Sequence, residues 1–342
     1  MRPLVSILIP AFKAQEWIGD TLRSAIAQTW PNKEIIVVDD GSPDGTAEAA
    51  RRFSSQGVQV FTQQNQGAAA ARNMAFSLSH GDYIQWLDAD DLLSPKKISS
   101  QMDVLGENPD KRTLVSSGWG QFMYRYHHAK FIPTDLWRDL TAVEWMQIAM
   151  EQNLHMQTAT WLVSRELTEA AGPWNTKLLG DDDGEYFGRI MMQSSRIRFA
   201  PEAKVFYRAS GASSLSYIGR SNKKMEAQFL SMKLHVDALL SLENSARSRA
   251  ACVTYLQTWL HNFYPERPDL VEQFLQMAAQ LGGQLEIPRL SWKYSWMEAL
   301  FGWGLAKQAQ VFLRRVRWSC VRGWDKMLFR IEGRKAVGYL AS

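Results

Sequence analysis

Along the first hundred residues, unbroken apolar runs alternate with segments whose apolar positions recur every three or four residues. "LVSILIPAF" (4–12) is a continuous run of the kind required by a strand buried on both faces. The "AQEWIGDTLRSAIAQTW" that follows places Trp17, Ile18, Leu22, Ala25 and Ile26 at helical spacing. A second buried strand over 35–38 stops at Asp39, Asp40 and the turn-forming "GSPDGT", and "TAEAARRF" reads as a helix. The pattern repeats with "VQVFTQ" as strand, "GAAAARNMAFSLS" as helix and "DYIQWL" as strand. Ser94 and Pro95 are then expected to cap and open a helix in "PKKISSQMDVL". Such alternation predicts βαβ units and an α/β fold with a mostly parallel sheet flanked by helices, whose ligands bind beyond the carboxyl ends of the strands.

The middle of the chain is less regular. A strand is expected over 113–119, a helix over 141–151, a strand over 159–163 and a helix capped by Ser164. Three aspartates at 181–183 precede another helix, and "RIRFAPEAKVFYR" (196–208) reads as a strand pair. Beyond about residue 220 the pattern is almost wholly helical.

With 342 residues, 46% of them hydrophobic and 22% charged, the chain has the composition of a globular protein with a sizeable core. Cys252 and Cys320 stand far apart with no Cys-x-x-Cys, so neither a disulfide framework nor a zinc site is expected, and a reducing compartment fits. The N-terminal apolar run is broken by Pro10 and is too short for a signal peptide. No run reaches the roughly 18 apolar residues of a spanning helix, so a cytoplasmic location is expected. The net charge of +4 hides an asymmetry: residues 1–218 carry 21 Lys and Arg against 25 Asp and Glu, residues 219–342 carry 18 against 10.

Three acidic clusters punctuate the pattern: Asp39-Asp40, Asp88-Ala89-Asp90-Asp91 and Asp181-Asp182-Asp183. Each alone is ordinary, because Asp is common in turns and at helix N-termini. Three clusters at the carboxyl edge of one parallel sheet would converge on one crevice, where a hard divalent cation would relieve their repulsion. Neither a Gly-x-x-x-x-Gly-Lys-Ser/Thr loop nor a Gly-x-Gly-x-x-Gly after the first strand is present, so phosphate would be held by metal and basic side chains.

In order, "VSILIPAFKAQEWIGDTLRSAIAQTW", "EIIVVDDGSPDGT", "NQGAAAARNMA", "GDYIQWLDADD" and "GDDDGEYFGR" resemble the successive motifs of inverting family 2 glycosyltransferases of the GT-A fold, over roughly residues 3–215. The resemblance implies a catalytic domain over 1–218, with a nucleotide-sugar half near 1–95 and an acceptor half near 96–218; the helical periodicity and basic charge of 219–342 mark a separate C-terminal region. The resemblance further implies that Pro10, Ala11 and Phe12 line a nucleoside pocket, that Asp40 contacts the base, usually uracil, and that Arg72 lies near the nucleotide. Asp88 and Asp90 match the Asp-x-Asp motif around Ala89. By that match Asp90 is the direct ligand of Mg2+ or Mn2+, Asp88 contacts ribose or sugar, and Asp91 caps the next turn. Asp182 matches the catalytic base, with Asp181 and Asp183 as alternates, since Asp181 stands where Glu is frequent. Tyr207 and Arg208 with "SGASSLS" resemble a segment closing near the diphosphate, and His155 lies where an acceptor binds.

The implied reaction is sugar transfer from a nucleoside diphosphate donor, a UDP-sugar above all, to a saccharide or lipid-linked acceptor in surface glycan or glycolipid synthesis. A catalytically inactive scaffold subunit and a nucleotidyltransferase are the rival readings. Outside the resemblance, residues 305–342 hold nine Lys and Arg against Asp325 and Glu332, while Leu313, Val316, Cys320, Trp324, Met327 and Ile331 recur at helical spacing. This pattern fits either a peripheral helix on an anionic membrane or a helix packed on the catalytic domain, with Trp318 and Trp324 as anchors or as core. No nucleic-acid module is visible, and none is expected.

Overall fold

The computed structural model describes residues 2–178, 180–209 and 221–332. The first half runs β1 (Val5–Ala11), α1 (Ile18–Ile26), β2 (Lys33–Asp39), α2 (Thr46–Arg51), β3 (Val58–Thr62), α3 (Ala68–Ser77), β4 (Tyr83–Trp86), β5 (Leu92–Leu93) and α4 (Lys97–Leu105). Then come β6 (Thr113–Phe122), β7 (Lys130–Phe131), α5 (Ala142–Gln152), β8 (Val163–Ser164), α6 (Arg165–Ala171), α7 (Asp182–Gln193) and β9 (Arg196–Arg208). The helices α8 (Asn222–Leu242), α9 (Ala246–Leu260), α10 (Pro268–Gln280) and α11 (Ser295–Ile331) complete the described chain.

The main sheet has the order β3-β2-β1-β4-β8, with β1, β2, β3 and β4 parallel and β8 antiparallel. A second sheet, β5-β9-β6-β7, is centred on the parallel β6–β9 pair. The continuous apolar strands have a direct cause. Val5, Ile7 and Ile9 pack with Ile18 and Leu22 of α1 on one face, while Leu8, Ile36 and Val38 pack with Ala71 and Ala75 of α3 on the other. With both faces covered, no position along β1 is left for a polar side chain to reach water. Residues of α8, α9 and α10, among them Met232, Leu256 and Phe274, join the second of these cores, so the helical region packs on the sheet's own hydrophobic layer.

Several expectations are corrected. The helix after β5 starts at Lys97, with Lys96 at its N-cap, and the Ser94 hydroxyl instead accepts the Lys204 N–H of β9. Sheet pairing of Ser94 with β9 has overridden its capping preference. Residues 158–160 form a 3-10 turn before a short β8, where a strand over 159–163 was expected. The expected strand pair at 196–208 is the single strand β9, whose pairing with β6 absorbs an irregularity between Ser117 and Gly118. The boundary at 218 and the "SGASSLS" segment lie outside the described residues. In α11, Leu313, Val316, Trp324, Met327 and Ile331 are exposed, which removes the reading of a helix packed through that face.

α7 is held to the sheet by aromatic stacking. Trp174 and Tyr186 stack with ring centroids 3.9 Å apart, and both meet Trp86 of β4 edge-on, at 5.3 and 5.9 Å. All three rings are buried, so their contact area contributes fully to stability. Trp174→Ala is expected to cost about 3–5 kcal/mol in urea unfolding, the range for removing a large aromatic from a core.

Candidate active site

β1, β2 and β4 are parallel neighbours, so their carboxyl ends share one edge of the sheet. Ala11 ends β1, Asp39 ends β2, and Asp88 follows β4 after Leu87. The expected nucleoside-side residues therefore stand together: Pro10 half-buried, Ala11 buried with its C=O accepting the Asp40 N–H at 2.8 Å, and Phe12 exposed just beyond the strand. Asp40 is buried and anchors its neighbouring loop, accepting from Gln63 Nε2 (2.7 Å), Gln66 N–H (2.9 Å) and Gly67 N–H (2.8 Å). A carboxylate offers about four acceptor positions, so one remains for a ligand. Asp39, buried beside it, accepts the Ser42 N–H at 3.2 Å through one oxygen, while the other has no hydrogen-bond partner.

Arg72 of α3 is the link between the acidic clusters. Its guanidinium donates to Asp88 Oδ1 at 2.9 Å and to Asp182 Oδ2 at 2.7 Å, and it lies over the Trp174 ring at 4.3 Å. The next residue, Asn73, fixes that ring's backbone: its Nδ2 donates to the Trp174 C=O (3.0 Å) and its Oδ1 accepts the Trp174 N–H (2.8 Å). Burial opposes the Arg72 charge, yet the carboxylates of Asp182, Asp88 and Asp183 outweigh it and raise its pKa. Sequence reasoning found Arg72 but missed Asn73 and Trp174. The signal lay in the adjacency of Arg72 and Asn73, two polar residues in an alanine-rich helix.

The triplet at 181–183 divides. Asp181 adopts a left-handed conformation (φ +54°) at the start of α7 and turns toward α8, accepting from Gln228 Nε2 at 2.9 Å and Ser231 Oγ at 2.7 Å. Asp182 pairs with Arg72. Asp183 accepts the Thr158 hydroxyl at 3.2 Å and the Gly184 N–H at 3.0 Å. Burial raises both carboxyl pKa values. Arg72 opposes the rise at both, and neighbouring carboxylates add to it, Asp183 and Asp88 at Asp182 and Asp181 and Asp88 at Asp183.

Asp91 does not cap the following turn, as expected of it, but is fully buried. It accepts the Arg208 N–H at 2.7 Å and Gln157 Nε2 at 2.5 Å, and burial, with repulsion from Asp90 and Asp88 added, pushes its carboxyl well above the usual range. Arg208 is buried too: Nε donates to the Asp90 C=O at 2.8 Å, Nη1 to the Met123 C=O at 3.1 Å, and the guanidinium sits over Trp17 at 4.1 Å. Ala89 is buried between them, its C=O accepting the Thr21 hydroxyl at 2.9 Å. Tyr207 meets Trp119 edge-on at 5.8 Å, and the exposed His155 lies tilted against the same Trp119, with ring centroids 5.3 Å apart. Burial raises the Tyr207 pKa, and the nearby Asp91, Asp88, Asp90 and Asp183 add to it, which places this aromatic wall beside the carboxylates. Trp119 was not singled out from sequence, since an aromatic in a strand carries no distinguishing pattern.

Solved structures of similar fold include S. aureus TarS residues 1–349 in complex with UDP, at TM-score 0.62 and 14% identity over 80% of each chain. The Pyrobaculum calidifontis mannosyltransferase PcManGT, solved with GDP-Man and Mn2+, has TM-score 0.51 and 19% identity over 82% of this chain and 87% of that one. At such identities the likeness shows the GT-A-type fold. An uncharacterized glycosyltransferase of Rickettsia typhi is 30% identical over 195 residues, 56% of this chain and 60% of the relative. The putative teichuronic acid biosynthesis glycosyltransferase TuaG of Bacillus subtilis is 36% identical over 109 residues, 31% of this chain and 43% of the relative. The chain thus spans less than two thirds of these relatives' lengths. Residues 6–170, which carry the main sheet and its carboxylate edge at Asp39, Asp40 and Asp88, match the family model described as "Glycosyl transferase family 2".

Proposed function

We propose that the protein transfers a sugar from a nucleoside diphosphate donor to a hydroxyl acceptor, with inversion, in the synthesis of a surface glycan or glycolipid. The observation that carries this reading is the Arg72 bridge, which draws Asp88 at the donor edge and Asp182 at the start of α7 around one guanidinium. A scaffold subunit would have no need to keep such a concentration of charge. The UDP and UDP-GlcNAc bound in the TarS structures favour a UDP-sugar donor, and a nucleotidyltransferase would require a nucleoside triphosphate in its place.

In the transfer, the acceptor oxygen bonds to the anomeric carbon as the bond from that carbon to the diphosphate oxygen breaks. The acceptor proton passes to a carboxylate, and the diphosphate leaves with the electron pair. Arg72, with N–H groups beyond its two ion pairs, is suited to the departing phosphates. Asp183 is the better base: Asp182 is held by the Arg72 guanidinium at 2.7 Å, while Asp183 accepts one hydroxyl and one N–H, and burial raises the pKa of both. This moves the role by one residue from Asp182. Trp119, Tyr207 and His155 form an aromatic wall suited to the apolar face of an acceptor sugar.

The donor set also fits a divalent cation. Asp88 and Asp90 supply hard oxygen ligands, and around Arg72 the carboxylates of Asp88, Asp182 and Asp183 outnumber the one guanidinium. Asp90 and Asp88 would hold Mg2+ or Mn2+, which when bound would stabilise the diphosphate's charge as a Lewis acid. A location at the membrane face, where lipid-linked acceptors are presented, is part of the same reading.

Calorimetric titration with nucleoside diphosphates, followed by product analysis with nucleotide sugars, tests it. Metal-dependent binding of one nucleotide and release of its diphosphate on transfer are expected; binding without turnover against a broad acceptor panel would favour the scaffold. Asp90→Asn should lower transfer by roughly 100-fold or more with the circular dichroism spectrum unchanged, the loss expected when a metal contact is removed. Full activity of that variant, or of the wild type in chelator, would remove the metal from the reading. Asp183→Asn should retain nucleotide binding and lower kcat by about 10²–10⁴-fold, whereas Asp182→Asn should weaken donor binding as well; the reverse pattern would return the base to Asp182.

A further inference from the structure

The last long helix leaves most of its apolar surface in water. Leu305, Phe312, Val316, Trp324, Met327 and Ile331 fall on one stripe of α11, and Phe312, Trp324 and Ile331 are 63, 62 and 72% exposed. Toward its C-terminal end the other side of the helix is engaged. Asp325 accepts the Tyr124 N–H at 2.9 Å and pairs with Arg125 at 2.8 Å, and one turn on Phe329 meets the Tyr124 ring at 6.0 Å. The stripe is therefore turned away from the body of the protein by the contacts that anchor the helix. Contiguous apolar surface of this kind marks an interaction site.

Charge identifies the partner. Residues 299–324 contain no Asp or Glu, while Arg315, Arg317 and Arg330 lie at the margins of the stripe, and Asp325 is engaged by Arg125. A second copy seated on the same face would set like charges against one another. Anionic headgroups would meet them with opposite charge. No described helix is long and apolar enough to cross a membrane, so the helix would lie on the surface.

We propose that α11 docks in the plane of an anionic lipid bilayer, its apolar stripe at the boundary of headgroups and acyl chains and its flanking cations at lipid phosphates. The docked end reaches the carboxylate site through a short chain of contacts: Phe329 on Tyr124, Tyr124 on Trp17 at 5.5 Å, and Trp17 under Arg208, which holds the Asp90 C=O. A bilayer bound along α11 would thus carry the cleft at its surface. The proposal stands without the glycosyltransferase reading, because partitioning is measured with no substrate present.

The test is flotation of the full chain with vesicles of phosphatidylcholine containing about 30% phosphatidylglycerol, against pure phosphatidylcholine, in about 0.1 M salt. Binding more than roughly tenfold stronger to the anionic vesicles is expected. Replacing Arg315, Arg317 and Arg330 together by Gln should weaken it by about a hundredfold, roughly fivefold for each cation near the surface. The double substitution Phe312→Ser and Trp324→Ser should abolish it with the helical circular dichroism signal unchanged. No flotation with either vesicle, equal partitioning into both, or self-association in sedimentation velocity that the double substitution removes would each overturn the proposal, the last in favour of a second copy.

Discussion

Arg72 is the point on which the cleft depends. Its carrier α3, the strand end that presents Asp88 and the helix start that presents Asp182 come from three separate parts of the chain, Asp182 lying 110 positions beyond Arg72. Buried carboxylates repel one another and lose hydration, so they assemble at one edge only if a counter-charge is fixed there first. The guanidinium is fixed from below by the Trp174 ring, which Asn73 holds by both its backbone groups. Removing one partner of such a buried pair leaves an uncompensated charge and costs about 3–5 kcal/mol. The stacked Trp174–Tyr186 pair thus serves stability and electrostatics together: it seats α7 and supplies the face on which the charge rests.

Behind this lies a second buried pair with another role. Asp91 and Arg208 join the loop after β4 to the last residue of β9, so they tie the main sheet to the second one. Their polar atoms are satisfied by backbone groups and by Gln157, which is the condition for a buried network to specify one arrangement. The Asp-x-Asp turn is consequently not free to move with solvent. Its first residue is held by Arg72, its middle carbonyl by Thr21 and its third carbonyl by Arg208. A ligand entering the site meets carboxylates already oriented.

The strands and first helices were legible because their cause is local: a strand covered on both faces must be apolar throughout, and β1, β2 and β4 are. The carboxylate clusters were legible for a related reason, since a parallel strand that ends in Asp delivers that side chain to a shared edge. What escaped was set by distant partners. Asp181 and Asp183 are equivalent as letters, yet a left-handed backbone and two donors on α8 turn one away from its neighbours. Asp91 reads as a turn residue, and only the return of β9 buries it. Ser94 has the chemistry of a cap, and β9 claims it first.

The C-terminal helix shows the limit most clearly. Its period specifies an apolar stripe but not what covers it, because a stripe facing a protein core and one facing a lipid surface are written in the same letters. What separates the two is the anchor. Arg125 takes Asp325 and Glu332 from one side of α11 and Tyr124 receives Phe329 from the same side, while near its start Trp303 meets the Tyr264 ring at 4.8 Å and Lys307 pairs with Glu266 at 2.7 Å, so the helix is attached near its two ends. An attachment of that kind leaves the larger apolar face outward by construction. The sequence over residues 299–324 holds no Asp or Glu, and the free energy of that basic surface is lowered by a partner that is apolar at its centre and anionic at its margin.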